Sequence, residues 1–136
     1  MDSASGVGPC SAARNKVLIV DDEYLIRYAM QKLMDEWGYS SYTAGCGKDA
    51  LRLFSEQKPD IVILDVQLPD QNGLVILKTI KDICPSVAVI MLTGCTDAQK
   101  SALAKKMGVL AYLEKPVRID ALKSLMSSKQ AGVQIH

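Results

Sequence analysis

Four apolar runs in this chain lead into residues able to do chemistry. KVLIV runs into Asp21 and Asp22, IVIL into Asp65, VIML into Thr93, and VLAYLE into Lys115. Three carboxylates, a hydroxyl and an ammonium are the parts of a receptor for a tetrahedral dianion. Clustered carboxylates repel one another and stay ionised together only when a cation joins them. Carboxylate oxygens select a hard ion, and a site with few protein ligands that keeps its waters suits Mg²⁺. Asp65 is the candidate nucleophile, because carboxylates attack phosphorus to form aspartyl phosphates. Such chemistry asks for positioning and charge neutralisation more than for acid or base groups. Pro69 stiffens the segment that follows Asp65, and Gly73 permits backbone geometry that a side chain would forbid.

The elements that must bring these groups together alternate regularly. Strands are expected over Lys16–Val20, Ser40–Ala44, Asp60–Leu64, Val87–Leu92 and Val109–Leu113. Helical spacing of apolar residues predicts helices over Glu23–Trp37, Lys48–Gln57, Leu74–Ile83, Asp97–Met107 and Ile119–Met126. Asp22 stands where an N-cap would stand. The inner face of the fourth helix reads as mostly small: Ala98, Ala102 and Ala104. Strands that are continuously apolar imply a parallel sheet covered on both faces. Regular βα alternation with right-handed crossovers gives an α/β, doubly wound, flavodoxin-like domain with five strands and five helices. In such a sheet ligands bind at the carboxyl ends of the strands, near the switch point. A strand order of 2-1-3-4-5 brings all the named polar groups to one edge.

The bulk numbers narrow the function. The chain has 136 residues, 49% hydrophobic, enough for one domain with its own core. A net charge of +1 provides no field for nucleic acid or an anionic membrane. No stretch is long and apolar enough to span a bilayer. Residues 1–15 read as a flexible leader, 16–127 as the domain, and 128–136 as a tail or the start of a linker. Cys10, Cys46, Cys84 and Cys95 form no C-x-x-C pair, and the only His is His136, so a zinc site is not expected. All four cysteines read as thiols of a cytoplasmic protein.

VLIVDDE, LDVQLPDQNG, VIMLTG and YLEKPV resemble, in order and in separation, four signature regions of the receiver domain of two-component response regulators. The resemblance covers Lys16 to Met126. It implies that Asp65 accepts phosphate from the phosphohistidine of a sensor histidine kinase, or from a small phosphodonor. It implies that Asp22, Asp65 and the backbone carbonyl of Gln67 bind Mg²⁺, with Mn²⁺ as a substitute, and that Asp21 holds the metal through water. Lys115 pairs with the acidic site and then with the phosphoryl group. Thr93 is the implied switch hydroxyl and Tyr112 the switch aromatic, while Gln67 and Cys95 tune dephosphorylation. The Lys115–Pro116 bond is expected to be cis. Phosphorylation then reshapes the face of the fourth helix, fifth strand and fifth helix, which is also the expected homodimer surface. On this reading the chain is a signalling phosphoacceptor rather than an enzyme.

Other readings fit less of the sequence. Asp21 and Asp22 as mere helix caps leave one Asp unexplained. Lys115 before Pro116 also reads as a solvated loop lysine, and Tyr112 as plain core, where a strand-five aromatic is often found. A flavodoxin-type cofactor binder needs a Ser/Thr/Gly-rich phosphate loop after the first strand, where this chain has DDEY. A haloacid-dehalogenase-type phosphatase carries D-x-D there, whereas these Asp residues are adjacent. For the output, LDVQLPDQNGLVILKTIKD and PSVAVIMLTG look like receivers joined to ATPase-type transcriptional activators. A stand-alone regulator that acts by binding a protein is the alternative. No direct nucleic-acid binding by this domain is expected.

Overall fold

The structure, a computed structural model, describes residues 16–94 and 97–130. Its elements are β1 (Lys16–Val20), α1 (Tyr24–Glu36), β2 (Ser40–Ala44), α2 (Gly47–Gln57), β3 (Ile61–Asp65), α3 (Gly73–Ile83), β4 (Ala88–Thr93), α4 (Ala98–Lys106), β5 (Ala111–Glu114) and α5 (Ile119–Gln130). The five strands form one parallel sheet in the order β2-β1-β3-β4-β5. The expected doubly wound fold is therefore present.

Alternation along the strands divides the core in two, because successive side chains point to opposite faces. Val17, Ile19, Ile61, Ile63, Ile90 and Leu92 pack with Met30 and Met34 of α1 and Leu122 and Met126 of α5. Leu18, Val20, Val62, Leu64, Val89 and Met91 pack with Phe54 of α2, Ile76, Leu77 and Ile80 of α3, and Ala104 of α4. The central strands are buried on both faces, which explains their unbroken apolar character.

Several elements differ from their sequence expectation. β3 ends on Asp65 itself, since Val66 N–H donates to the Leu92 carbonyl at 2.9 Å and carries the ladder past Leu64. β5 starts and ends later than expected, because Lys115 N–H donates to the Thr93 carbonyl at 2.7 Å. α5 runs on to Gln130, beyond the expected start of the tail. Asp22 is not the N-cap of α1: that position is Glu23, whose N–H donates to Asp21 Oδ1 at 2.9 Å. On α4 only Ala104 is buried, while Ala98 and Ala102 are exposed. Each fully buried Ile or Leu contributes about 1.5–3 kcal/mol. α3, with Ile76, Leu77 and Ile80 inside, is thus held several-fold more firmly than α4. What holds α4 is local: Asp97 Oδ1 accepts from Gln99 N at 2.9 Å and from Lys100 N at 3.2 Å.

Cys46 is a free thiol. Cys84 is disulfide-bonded, so the expectation of four thiols does not hold. The Lys115–Pro116 bond is cis, as expected.

The β3–α3 connection is unusually tight. Gly73 N–H donates to the Val66 carbonyl at 2.6 Å. A Cβ on Gly73 would collide with the Asp65 carbonyl and come within 2.8 Å of Val66 Cα. Both obstacles are backbone, so neither can swing aside. Gly73→Ala is therefore expected to cost about 1–3 kcal/mol of stability, read as a lower midpoint in urea; an unchanged midpoint would mean that the loop reshapes freely.

Candidate functional site

Strand register explains why the polar residues meet. Val20 is level with Leu64, Asp65 with Leu92, and Thr93 with Glu114. Asp21 and Asp65 thus leave adjacent strands at the same height, and Lys115 follows the partner of Thr93. Each of Asp21, Asp22 and Asp65 offers a carboxylate oxygen, and these oxygens lie within 4.8 Å of one another.

Lys115 joins the cluster. Its Nζ is 2.9 Å from Asp21 Oδ2, 2.9 Å from Asp65 Oδ2 and 3.8 Å from Glu23 Oε1. Burial pulls its ammonium down, but the hydrogen bonds and charges of Asp21 and Asp65 outweigh burial and leave its pKa above the ordinary value. Burial pushes the Asp65 carboxyl up, and the Asp21 charge adds to that push. The bond from Lys115 and the Gln67 N–H, which donates to Asp65 Oδ1 at 3.0 Å, pull the other way but do not cancel it.

Asp21 is fully buried. Its N–H donates to the Ala44 carbonyl, its carbonyl accepts from Arg27 Nη1 at 2.7 Å, and its carboxylate takes Glu23 N–H and Lys115. Its Oδ1 accepts the Glu23 amide, while Oδ2, 2.9 Å from the Lys115 ammonium, is an ion-pair partner that accepts no well-aligned hydrogen bond and so keeps acceptor capacity inside the cluster. Asp22 is exposed, yet it places a carboxylate oxygen in the same cluster. The donor set of hard oxygens around a buried carboxylate therefore fits Mg²⁺.

The remaining expected residues fall as follows. Thr93 is buried at the end of β4. Tyr112 is half-buried against the core that α4 covers, level with Met91 and so one pleat from Thr93 on the same face. Gln67 is exposed, and it pairs across the loop with Asn72. Cys95 lies outside the described residues. Sequence reasoning missed three participants. Glu23 and Arg27 sit at the first turn of α1, beside Asp21. Asp70 accepts hydrogen bonds from Gly47 N at 2.8 Å and Lys48 N at 3.0 Å, and so caps α2 from a different loop. Arg27 is readable as the residue one turn after Glu23, while a cap supplied from elsewhere in the chain leaves no local pattern.

With that geometry established, likeness to known proteins has a physical basis. Residues 17–127 match the response regulator receiver domain. The chain belongs to the response regulator receiver family. It is 34% identical over 108 residues to sporulation initiation phosphotransferase F of Bacillus subtilis, covering 79% of this chain and 87% of that protein. It is 33% identical over 115 residues to transcriptional regulatory protein ZraR of Escherichia coli K12, covering 85% of this chain but only 26% of the relative. Among solved structures, a receiver domain from Clostridium thermocellum superposes with a TM-score of 0.78 at 35% identity, covering 88% of this chain and 99% of that one. No helix of this receiver domain is long and apolar enough to cross a membrane, among the described residues.

Two outcomes follow from the electrostatics. Removing one partner of a fully buried ion pair costs about 3–5 kcal/mol, and partial exposure of Lys115 reduces that to about 1–3 kcal/mol. Lys115→Met is expected to lower the thermal midpoint in chelator, and Mg²⁺ is expected to raise it more in the variant than in the wild type. Equal gains in both proteins would show that lysine and metal do not share the site. Asp70 has its pKa lowered, first by the Gly47 hydrogen bond. A lowered folded pKa means stability that is present above the ordinary Asp value and lost as pH falls through the folded value. The stability gap between wild type and Asp70→Asn is expected to close as pH falls through that range, measured by urea titration; a gap that widens on acidification would reverse the sign.

Proposed function

We propose that this receiver domain takes a phosphoryl group on Asp65 from the phosphohistidine of a sensor histidine kinase, or from a small acyl phosphate. The observation that carries the reading is the Lys115 ammonium 2.9 Å from both Asp21 and Asp65, with Asp22 in the same cluster. Asp22, Asp65 and the Gln67 backbone carbonyl would hold Mg²⁺, with Asp21 reaching it through water. When bound, Mg²⁺ neutralises charge on the oxygens of the transferring group. An Asp65 carboxylate oxygen attacks phosphorus, the P–N bond breaks, and its electron pair leaves on the imidazole. Lys115 turns from the Asp65 carboxylate to a phosphoryl oxygen. Burial raises the Asp65 carboxyl, and the Lys115 and Gln67 hydrogen bonds oppose that rise and favour the carboxylate that attacks.

The output follows from the added charge. Thr93 moves to donate its hydroxyl to a phosphoryl oxygen, and Tyr112 turns into the space it leaves. α4, with one buried alanine, shifts most easily. The α4–β5–α5 face then changes shape and serves as the homodimer or effector surface. Tyr24, Leu25 and Tyr28 are 66%, 75% and 51% exposed on α1 beside the acidic loop, and they form an apolar surface for the kinase. The likeness to ZraR favours the receiver part of a transcription regulator of the ATPase-activator kind. The nearly full coverage of the Bacillus phosphotransferase favours a stand-alone regulator, and the two differ in whether further domains are attached.

The test is intact mass after incubation with Mg²⁺ and acetyl phosphate. Wild type is expected to gain one acid-stable, base-labile phosphoryl group, and Asp65→Asn none. Thr93→Ala is expected to gain it too, but without the change in amide exchange on α4 that the wild type shows. A phosphoryl group on Asp65→Asn would sink the assignment of the acceptor.

A further inference from the structure

The amides that open α2 have no cap of their own. Its N-cap residue is Cys46, which makes no side-chain capping bond. Gly47 N–H and Lys48 N–H donate instead to the two carboxylate oxygens of Asp70, at 2.8 and 3.0 Å. Asp70 belongs to the β3–α3 loop, the segment that also carries Gln67. That loop is closed on itself: Gln67 pairs with Asn72, Leu68 N–H donates to the Gln71 carbonyl at 3.3 Å, and Gly73 N–H to the Val66 carbonyl at 2.6 Å. Asp70 is the third residue of the Leu68–Gln71 turn, so its position and that of Gln67 are set together. The start of α2 also lies hard against the loop. A Cβ on Gly47 would stand 2.7 Å from Ile76 Cδ1 and 3.1 Å from Gln71 Nε2. The loop is thus pinned at its base by Gly73 and at its tip by α2.

We propose that Asp70 is a positioning residue for the metal: by tying the loop tip to the first turn of α2, it holds the Gln67 carbonyl where it completes the ligand set with Asp22 and Asp65. This rests on the reading that those three groups hold Mg²⁺. A carboxylate at a helix N-terminus is favoured by both the free amides and the helix dipole, which makes the tie strong enough to order an exposed loop. Without it, metal binding must itself order the loop and is weakened accordingly. Residues that orient metal ligands from behind typically change metal affinity tenfold or more.

The rival explanation is that Asp70 only stabilises α2, and a local cap separates the two. Cys46 has the extended backbone of an N-cap, so Cys46→Ser supplies a capping hydroxyl from within α2 without tying it to the loop. Mg²⁺ binding is measured by calorimetry, and stability by thermal midpoint. Asp70→Ala is expected to lower the midpoint and to weaken Mg²⁺ binding by about tenfold. Asp70→Asn, which keeps an acceptor for Gly47, is expected to lose less. Adding Cys46→Ser to Asp70→Ala is expected to restore the midpoint while Mg²⁺ binding stays weak. If it restores both, or if Asp70→Ala binds Mg²⁺ as tightly as the wild type, Asp70 is a helix cap only and the inference fails. A wild type that binds no Mg²⁺ would overturn the proposed metal site itself, and the inference with it.

Discussion

The Lys115 ammonium, 2.9 Å from Asp21 and from Asp65, is what allows a buried parallel sheet to end on carboxylates. Two buried carboxylates side by side would otherwise resist ionisation, since burial and like charge both favour the protonated form. One lysine from the loop after β5 answers both. It also draws three loops to a single point: β1–α1 through Asp21, β3–α3 through Asp65, and β5–α5 through its own backbone. The arrangement stores a cation where a phosphoryl group is proposed to arrive. Negative charge added there meets a positive partner that needs only a small movement to reach it.

The sheet separates the acidic groups from the proposed switch. Along β1 and β3, Asp21 and Asp65 continue the side of the sheet that α1 and α5 cover, while Thr93 and Tyr112 continue the side under α4. On the proposed mechanism, communication between them runs over the top edge of the sheet, from the end of β3 to the end of β4. The weak anchoring of α4 gives that signal something to move. A helix held by one buried alanine and an Asp97 cap can change its placement at little cost to the core. The central strands β1, β3 and β4, and α3 with Ile76, Leu77 and Ile80 locked in the core, cannot.

Parts of this architecture were legible because they are local. The runs at Val17–Val20 and Ala88–Leu92 are apolar without interruption, and a short run of that kind bounded by polar and turn residues is the mark of a strand buried on both faces. Asp97 caps α4 from within its own segment, so the start of that helix could be read directly. The errors arose where packing overrides pattern. Ala98, Ala102 and Ala104 suggested an inner face, but alanine is equally at home on an exposed helix surface, and only Ala104 meets the sheet. Asp22 follows a strand and precedes a helix, as a cap would, yet Asp21 is the residue that accepts the helix-flanking amide, because Lys115 holds it in place.

The sequence by itself determined the class of fold and which residues stand at strand ends, because hydrophobic periodicity and turn residues act over a few positions. The tertiary structure alone decided how those ends are shared. Register made Asp21 and Asp65 level, and a loop 50 residues after Asp65 brought the balancing charge. A carboxylate in the β3–α3 loop became the cap of α2, 22 and 23 residues back along the chain. Long-range partners are chosen by packing of the whole sheet, and no short stretch of sequence carries that information.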